Sequence, residues 1–235
     1  MADALGVDRS VLVAHPEMEI PASAARVIGE RVRRRLAREP VAYIIGRKGF
    51  RHIELTVDAR VLIPRPETEL LVEIARELPA GASVHDVGTG SGAVALALLD
   101  ERPDLEVSAS DASPGAVEVA RANAARLGVT LNVEILRGMP RRRFDLVLAN
   151  LPYVTDDEMG SLPPEIRLHE PPEALRGGSD GLDPIRELLE GAPGGTAVAL
   201  EHAPHQAGTV RALLVDSLTH RDLAGHERVT VGRVP

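Results

Sequence analysis

"SVHDVGTGSGAVALALL", residues 83–99, holds three features in succession: a short strand, a glycine loop and an apolar helix. Gly88, Gly90 and Gly92 remove side chains where a cofactor must come close to the backbone, and they permit positive φ. The helix that starts behind them offers free N–H groups. A purely structural turn rarely needs three glycines within five positions. Gly88, Gly90 and Ala93 also fit the loose dinucleotide fingerprint, so a dehydrogenase stays open on this stretch alone.

The same alternation continues downstream. Strands are expected at "EVSASD", "NVEIL", "FDLVLA", "TAVALE" and "RVTVGRV", and helices at "PGAVEVARANAARLG", "DPIRELLEG" and residues 205–218, "HQAGTVRALLVDSL". Before the glycine loop, "PETELLVEIAREL" reads as a helix opened by Pro66, with Glu67 and Glu69 in its first turn, where the helix dipole favours them. This order predicts an α/β fold with a mostly parallel sheet covered on both faces. Such sheets bind ligands beyond the carboxyl ends of their strands, where strand order reverses. The first strand and "FDLVLA" should flank that point. Residues 1–45 read as a small helical appendage and residues 46–64 as a hairpin linker, in which Ile53, Leu55 and Val57 alternate before residues 61–63. Residues 65–235 form the main domain.

Composition narrows the function. The chain of 235 residues has no cysteine, which removes disulfides, thiolate catalysis and thiolate metal sites together, and no metal is expected. Net charge is −8, so an unaided, stable nucleic-acid binder is disfavoured, because such binding rests on phosphate neutralisation. The runs "RVRRR" (31–35) and "RRR" (141–143) read as a solvated helix face and a surface loop. No membrane span and no secretory leader is visible in "MADALGVDRS" or beyond, and a cytoplasmic protein is expected.

Two polar positions carry chemistry. Asp111 ends the second strand, twenty-three residues after Gly88, where an acid accepts both hydroxyls of an adenosine ribose. Helix capping is its other use, and Ser113 can take that role instead. "LANLPYV" (148–154) stops a buried strand with an amide, a proline and a phenol, in a chain that owns only two tyrosines and two phenylalanines. The Asn150 side-chain oxygen and the Leu151 carbonyl are two acceptors able to hold both hydrogens of a planar NH₂ group. That group is a weak nucleophile, and two acceptors on its hydrogens hold its lone pair toward an electrophilic methyl. Pro152 stiffens the turn and Tyr153 can pack on the flat substrate. A strand-ending turn of Asn and Pro with no chemistry is the alternative.

"EPVAYIIGRKGF", "LIPRPETELLVE", "DVGTGSGAVALAL", "ASDAS", "DLVLANLPYV", "HEPPEALRGGSDGLD" and "ERVTVGRV" follow one another in the order seen in release-factor glutamine methyltransferases, the HemK-type protein-(glutamine-N5) methyltransferases, which this sequence resembles from about residue 39 onward. The resemblance implies a class I S-adenosyl-L-methionine (SAM) methyltransferase fold with a helical amino-terminal domain and an antiparallel final strand. It implies methylation of the side-chain amide of a glutamine in the Gly-Gly-Gln tip of a peptide-chain release factor. By that resemblance Asp86, Gly88, Thr89, Gly90, Ser91, Gly92, Asp111, Ala112, Asn150 and Thr68 bind SAM. Asn150, Leu151, Pro152 and Tyr153 hold the glutamine amide, with Asn150 and Tyr153 catalytic.

Three departures stand out. Leu151 replaces the family's first proline, the segment "LRGMPRRRFD" lacks the usual acidic-aromatic pair, and the helical domain is about half the usual size. Met139 is expected to cover the adenine instead. Ribosomal RNA adenine dimethylases also spell "NLPY" and act on a planar NH₂, but they carry a basic surface and a further RNA-binding domain. A dehydrogenase has no use for an NH₂ clamp. A non-catalytic cofactor-binding module remains the fourth reading.

Overall fold

The computed structural model describes residues 1–235. Four helices come first: α1 (Ala2–Leu5), α2 (Arg9–Ala14), α3 (Ala22–Leu36) and α4 (Val41–Ile45). Asp8 caps α2 by accepting from Ser10 N, and Gly46, in left-handed conformation, ends α4. The arginines of the α3 run pair with carboxylates, with Arg31 and Arg34 half-buried and Arg33 and Arg35 exposed. Arg31 pairs with Asp3, Arg34 with Glu39 and the carbonyls of Tyr43 and Ile44, and Arg35 with Glu165.

Strands β1 (Arg47–Phe50) and β2 (Ile53–Thr56) form an antiparallel hairpin, with Ile53 and Leu55 buried and Glu54 and Thr56 exposed. Residues 61–63 continue as irregular chain, yet Val61 and Ile63 are buried in the main core. Then follow a single 3₁₀ turn, Pro66–Thr68, and α5 (Glu69–Arg76), β3 (Ser83–Val87), α6 (Ala93–Glu101), β4 (Glu106–Asp111), α7 (Pro114–Leu127), β5 (Asn132–Ile135) and β6 (Leu146–Ala149). The remaining elements are β7 (Val154–Thr155), α8 (Pro164–His169), β8 (Arg176–Gly178), α9 (Asp183–Gly191), β9 (Ala197–Glu201), α10 (Ala207–Ala212), β10 (Val215–Arg221) and β11 (Glu227–Arg233).

Seven strands make the main sheet, in the order β10-β11-β9-β6-β3-β4-β5. The five from β9 to β5 are mutually parallel, while β11 runs antiparallel to β9 and to β10. Strand alternation splits the core in two. Leu146 and Leu148 of β6 pack under α5, α6 and α7, while Val147 and Ala149 face α9 and α10. The chain winds outward from β3 through β4 to β5, then returns to β6 on the opposite side of β3. Loops leaving β3 and β6 therefore diverge, and a crevice opens between them.

One local expectation is corrected. The helix expected over residues 205–218 ends at Ala212, and Val215–Arg221 is instead the edge strand β10. Its apolar positions suit a helix and a strand equally, so pairing with β11 decides the matter. Asp216, at φ 51, lies within β10 at the register shift between Val215 and Leu218. After "NLPY" the chain also forms a small parallel pair, β7 with β8, that no local pattern announces.

Candidate active site

Four adjacent parallel strands finish in polar side chains: Asp86 on β3, Asp111 on β4, Asn150 directly after β6, and Glu201 on β9. Asp86, Asp111 and Asn150 line a cavity of about 560 Å³ at the carboxyl end of the sheet. Gly88, Thr89, Gly90, Ser91, Ala112, Thr68, Leu151 and Pro152 line it too. Gly92 and Tyr153 do not.

The glycine loop is pinned to the end of β4. Gly88 N and Thr89 N both donate to the Ser110 carbonyl, at 2.9 and 3.0 Å, and Gly90 N donates to Asp111 Oδ2 at 2.9 Å. Gly88 has φ 72, and a Cβ there would lie 3.0 Å from Leu151 Cδ2. Gly92 has φ 83 and starts α6; a Cβ on it would lie 2.8 Å from Leu96 Cδ1. Gly92 therefore serves loop-to-helix packing, while Gly88 lets Leu151 lie against the loop at the cavity wall.

Asp86 is 2% exposed and accepts the Thr89 hydroxyl at 2.6 Å. Burial pushes its carboxyl pKa up to about 7, against the hydrogen bonds from Thr89 and from the Ala95 N–H. Burial also raises Asp111, opposed by the backbone N–H groups of Ser113, Gly90 and Ala112. Each Asp111 oxygen accepts one of these bonds at 2.9 Å and keeps a further lone pair for a hydroxyl. Ser113 Oγ accepts from Ala116 N at 3.3 Å and caps α7.

Asn150 Nδ2 donates to Thr68 Oγ1 at 2.8 Å, which turns Asn150 Oδ1 away from Thr68. Thr68 closes the 3₁₀ turn before α5 and is 5% exposed, so the "RPETE" segment reaches the strand ends through this contact. Tyr153 Oη donates to Glu201 Oε1 at 3.4 Å, and burial raises the Tyr153 pKa. Glu201 is 1% exposed, and its Oε2 has no hydrogen-bond partner. Burial lifts its pKa to about 7, against the Thr68 hydroxyl, Arg228 and the Tyr153 hydroxyl.

One wall of the cavity depends on Glu170, which is 3% exposed and accepts from Ile63 N at 3.2 Å and from Arg65. Leu136, Arg137 and Gly138 also line the cavity. Met139, expected to cover an adenine, is instead 7% exposed and packed in the core with Phe144 and Leu188. The reason is Gly138, whose φ of 78 turns the chain so that the next side chain enters the core.

Sequence reasoning missed Glu201 and Glu170. Glu201 ends the apolar run "AVALE" much as Asp111 ends its own strand, and that shared pattern was the available signal. Glu170 has no such local mark. No group of three or more His, Asp or Glu side chains is placed to hold a metal ion, and no helix is long and apolar enough to cross a membrane.

Comparison with known proteins adds sequence relatives to this geometry. The pattern of the PrmC N-terminal domain matches residues 1–46, and that of the methyltransferase small domain matches residues 66–175. The release factor glutamine methyltransferase of Caulobacter vibrioides is 40% identical over 247 residues, covering 97% of this chain and 85% of that protein. That of Xylella fastidiosa (strain Temecula1) is 41% identical over 250 residues, covering 99% and 90%. That of Gloeobacter violaceus is 46% identical over 211 residues, covering 82% and 73%. Among solved structures, the hMettl16 catalytic domain in complex with an RNA hairpin superposes with a TM-score of 0.59 at 12% identity, covering 75% of this chain and 74% of that one. The T. thermophilus 16S rRNA N2 G1207 methyltransferase in complex with AdoMet and guanosine gives 0.53 at 14%, covering 80% and 50%. At such identities the likeness concerns the fold alone.

Proposed function

The chain belongs to the release factor glutamine methyltransferase family, and from that premise we propose how its residues divide the work. SAM supplies an electrophilic methyl group. The cavity suits it: Gly88 gives backbone access, the Asp111 oxygens have lone pairs left for two ribose hydroxyls, and Asp86 with Thr89 stiffens the loop.

Asn150 Oδ1 and the Leu151 carbonyl accept the two hydrogens of the glutamine amide and aim its nitrogen lone pair at the methyl group. No strong base is needed, because methyl transfer would leave the amide nitrogen cationic and strongly acidic, so that water can take its proton while S-adenosyl-L-homocysteine departs as the neutral thioether. Pro152 and Tyr153 flank the amide. The carrying observation is the Asn150–Thr68 hydrogen bond, which commits Nδ2 and leaves Oδ1 as the acceptor. The substrate is the glutamine of a Gly-Gly-Gln tip in a peptide-chain release factor, met in the cytoplasm. Residues 1–45 serve its recognition, 46–64 link, and 65–235 carry the chemistry. Arg60, Arg137 and Arg176 at the cavity are paired with carboxylates, so no stable nucleic-acid binding is proposed.

The test is labelled-methyl transfer from SAM to purified release factor and ribosomal RNA side by side. Label should enter the factor. Asn150→Ala should lower transfer by roughly 10²–10³ while SAM affinity changes little. Label on RNA alone, or an unimpaired Asn150→Ala, overturns the reading.

A further inference from the structure

An asparagine amide has two ends of nearly equal shape, and only its surroundings decide which end is the acceptor. In this site the decision falls to Thr68, whose oxygen receives Asn150 Nδ2–H at 2.8 Å. A threonine hydroxyl is both donor and acceptor. Left to itself, it could equally donate to an Asn150 amide turned end for end, and Oδ1 would then be lost to the substrate. Something must draw the Thr68 proton away.

Glu201 is placed to do so. It is 1% exposed at the end of β9, the strand beside β6, and the Thr68 hydroxyl is near enough to favour its ionised form. A carboxylate accepts and cannot donate. Its Oε2 is buried with no hydrogen-bond partner and so is open to a hydroxyl, and its Oε1 takes the Tyr153 hydroxyl at 3.4 Å. Arg228 and Glu67 are the charged neighbours, of opposite sign, and Arg228 is itself engaged by Asp222.

We infer that Glu201 is a positioning residue for methyl transfer: by taking the Thr68 hydroxyl proton it makes Thr68 acceptor-only toward Asn150, and so holds Asn150 Oδ1 toward the substrate amide. The same carboxylate receives Tyr153, so the first and last residues of "NLPY" take their orientation from one buried group. This rests on the reading that Asn150 Oδ1 accepts from the substrate.

The experiment uses the full chain and intact release factor at alkaline pH, where Glu201 is ionised. It measures kcat, KM, SAM affinity and thermal melting. Glu201→Gln keeps volume but places a donor in the pair; kcat should fall about 10- to 100-fold, with SAM affinity and melting close to the wild type. Thr68→Val should fall similarly, and Thr68→Ser, which keeps the hydroxyl, should recover most of that loss. The double variant should lose no more than the worse single, since both remove one relay. Should Glu201→Gln not fold, the Thr68→Val and Thr68→Ser pair decides alone. A wild-type kcat in Glu201→Gln beside a crippled Asn150→Ala overturns the inference and leaves the functional reading standing. Losses that multiply in the double variant, or a kcat loss matched by lost SAM binding and lower melting, also overturn it. A wild-type rate in Asn150→Ala removes the reading and the inference together.

Discussion

Gly88 meets two demands at once: a backbone at φ 72, and a flank against which Leu151 Cδ2 can pack. Gly88→Ala should therefore cost about 1–2 kcal/mol in left-handed backbone strain and displace Leu151 besides. That strain should appear as a lower melting temperature, and calorimetry should show weaker SAM binding because the displaced Leu151 lines the cavity. Asp111 is a different kind of position, because its oxygens anchor Gly90 and Ser113 as well as facing the cavity. Asp111→Ala should weaken SAM by a charge-assisted hydrogen bond or two, about 1.5–3 kcal/mol each. A lower melting temperature of the apoprotein should accompany it. Gly88 and Asp111 were legible because each works through its own strand end. Tyr153 was legible as a site residue, but the direction of its hydroxyl was not, since Glu201 lies 48 residues away.

The elements around the cavity are held by side chains distant in sequence. Glu170, at the end of α8, takes Ile63 N and Arg65 across 107 and 105 residues, and so fixes the chain that leads into Pro66–Thr68 and α5. Glu170→Ala would leave a buried N–H and the guanidinium short of their acceptor. Stability in urea should drop by about 1.5–3 kcal/mol. The kcat should fall as well, because Thr68 rides on this turn; an unchanged kcat would show that the turn holds its place without Glu170. The start of this helical segment was readable from Pro66 and the acidic first turn, while its anchor was not. The edge strand β10 teaches the same lesson, for residues 215–221 take strand form only by pairing with β11.

At the scale of the whole molecule, buried carboxylates set how stability follows pH. Asp86 and Glu201 have pKa values raised to about 7 from ordinary values of 3.8 and 4.5. Between those limits the folded chain holds protons that the unfolded chain has released, so stability falls as pH rises through that window. Glu101 acts in the opposite sense. Arg51 holds its pKa below the ordinary value, so its contribution is lost in acid as pH falls below the carboxylate range. The apoprotein should thus melt highest near about pH 5 and lower at about pH 8. Asp86→Asn should flatten the alkaline side of that curve in calorimetric melts. A wild-type curve that rises steadily to pH 8 would mean that neither carboxylate is protonated in the fold.

What the sequence determined by itself depends on neighbours along the chain: the strand–loop–helix of the glycine segment, the alternation behind the parallel sheet, and the polar residues that end its strands. Period, glycine φ and strand length are local quantities, so they survive without knowledge of the fold. Only the tertiary structure decided which of those polar ends meet. Asn150 needs Thr68, Tyr153 needs Glu201, and the "IPRPE" segment needs Glu170, each across 48 to 107 residues. Met139 went to the core rather than the cavity for a related reason: a single turn at Gly138 chose its side. Hydrogen-bond partners and burial are properties of chain pairings, and no run of neighbouring residues specifies those alone.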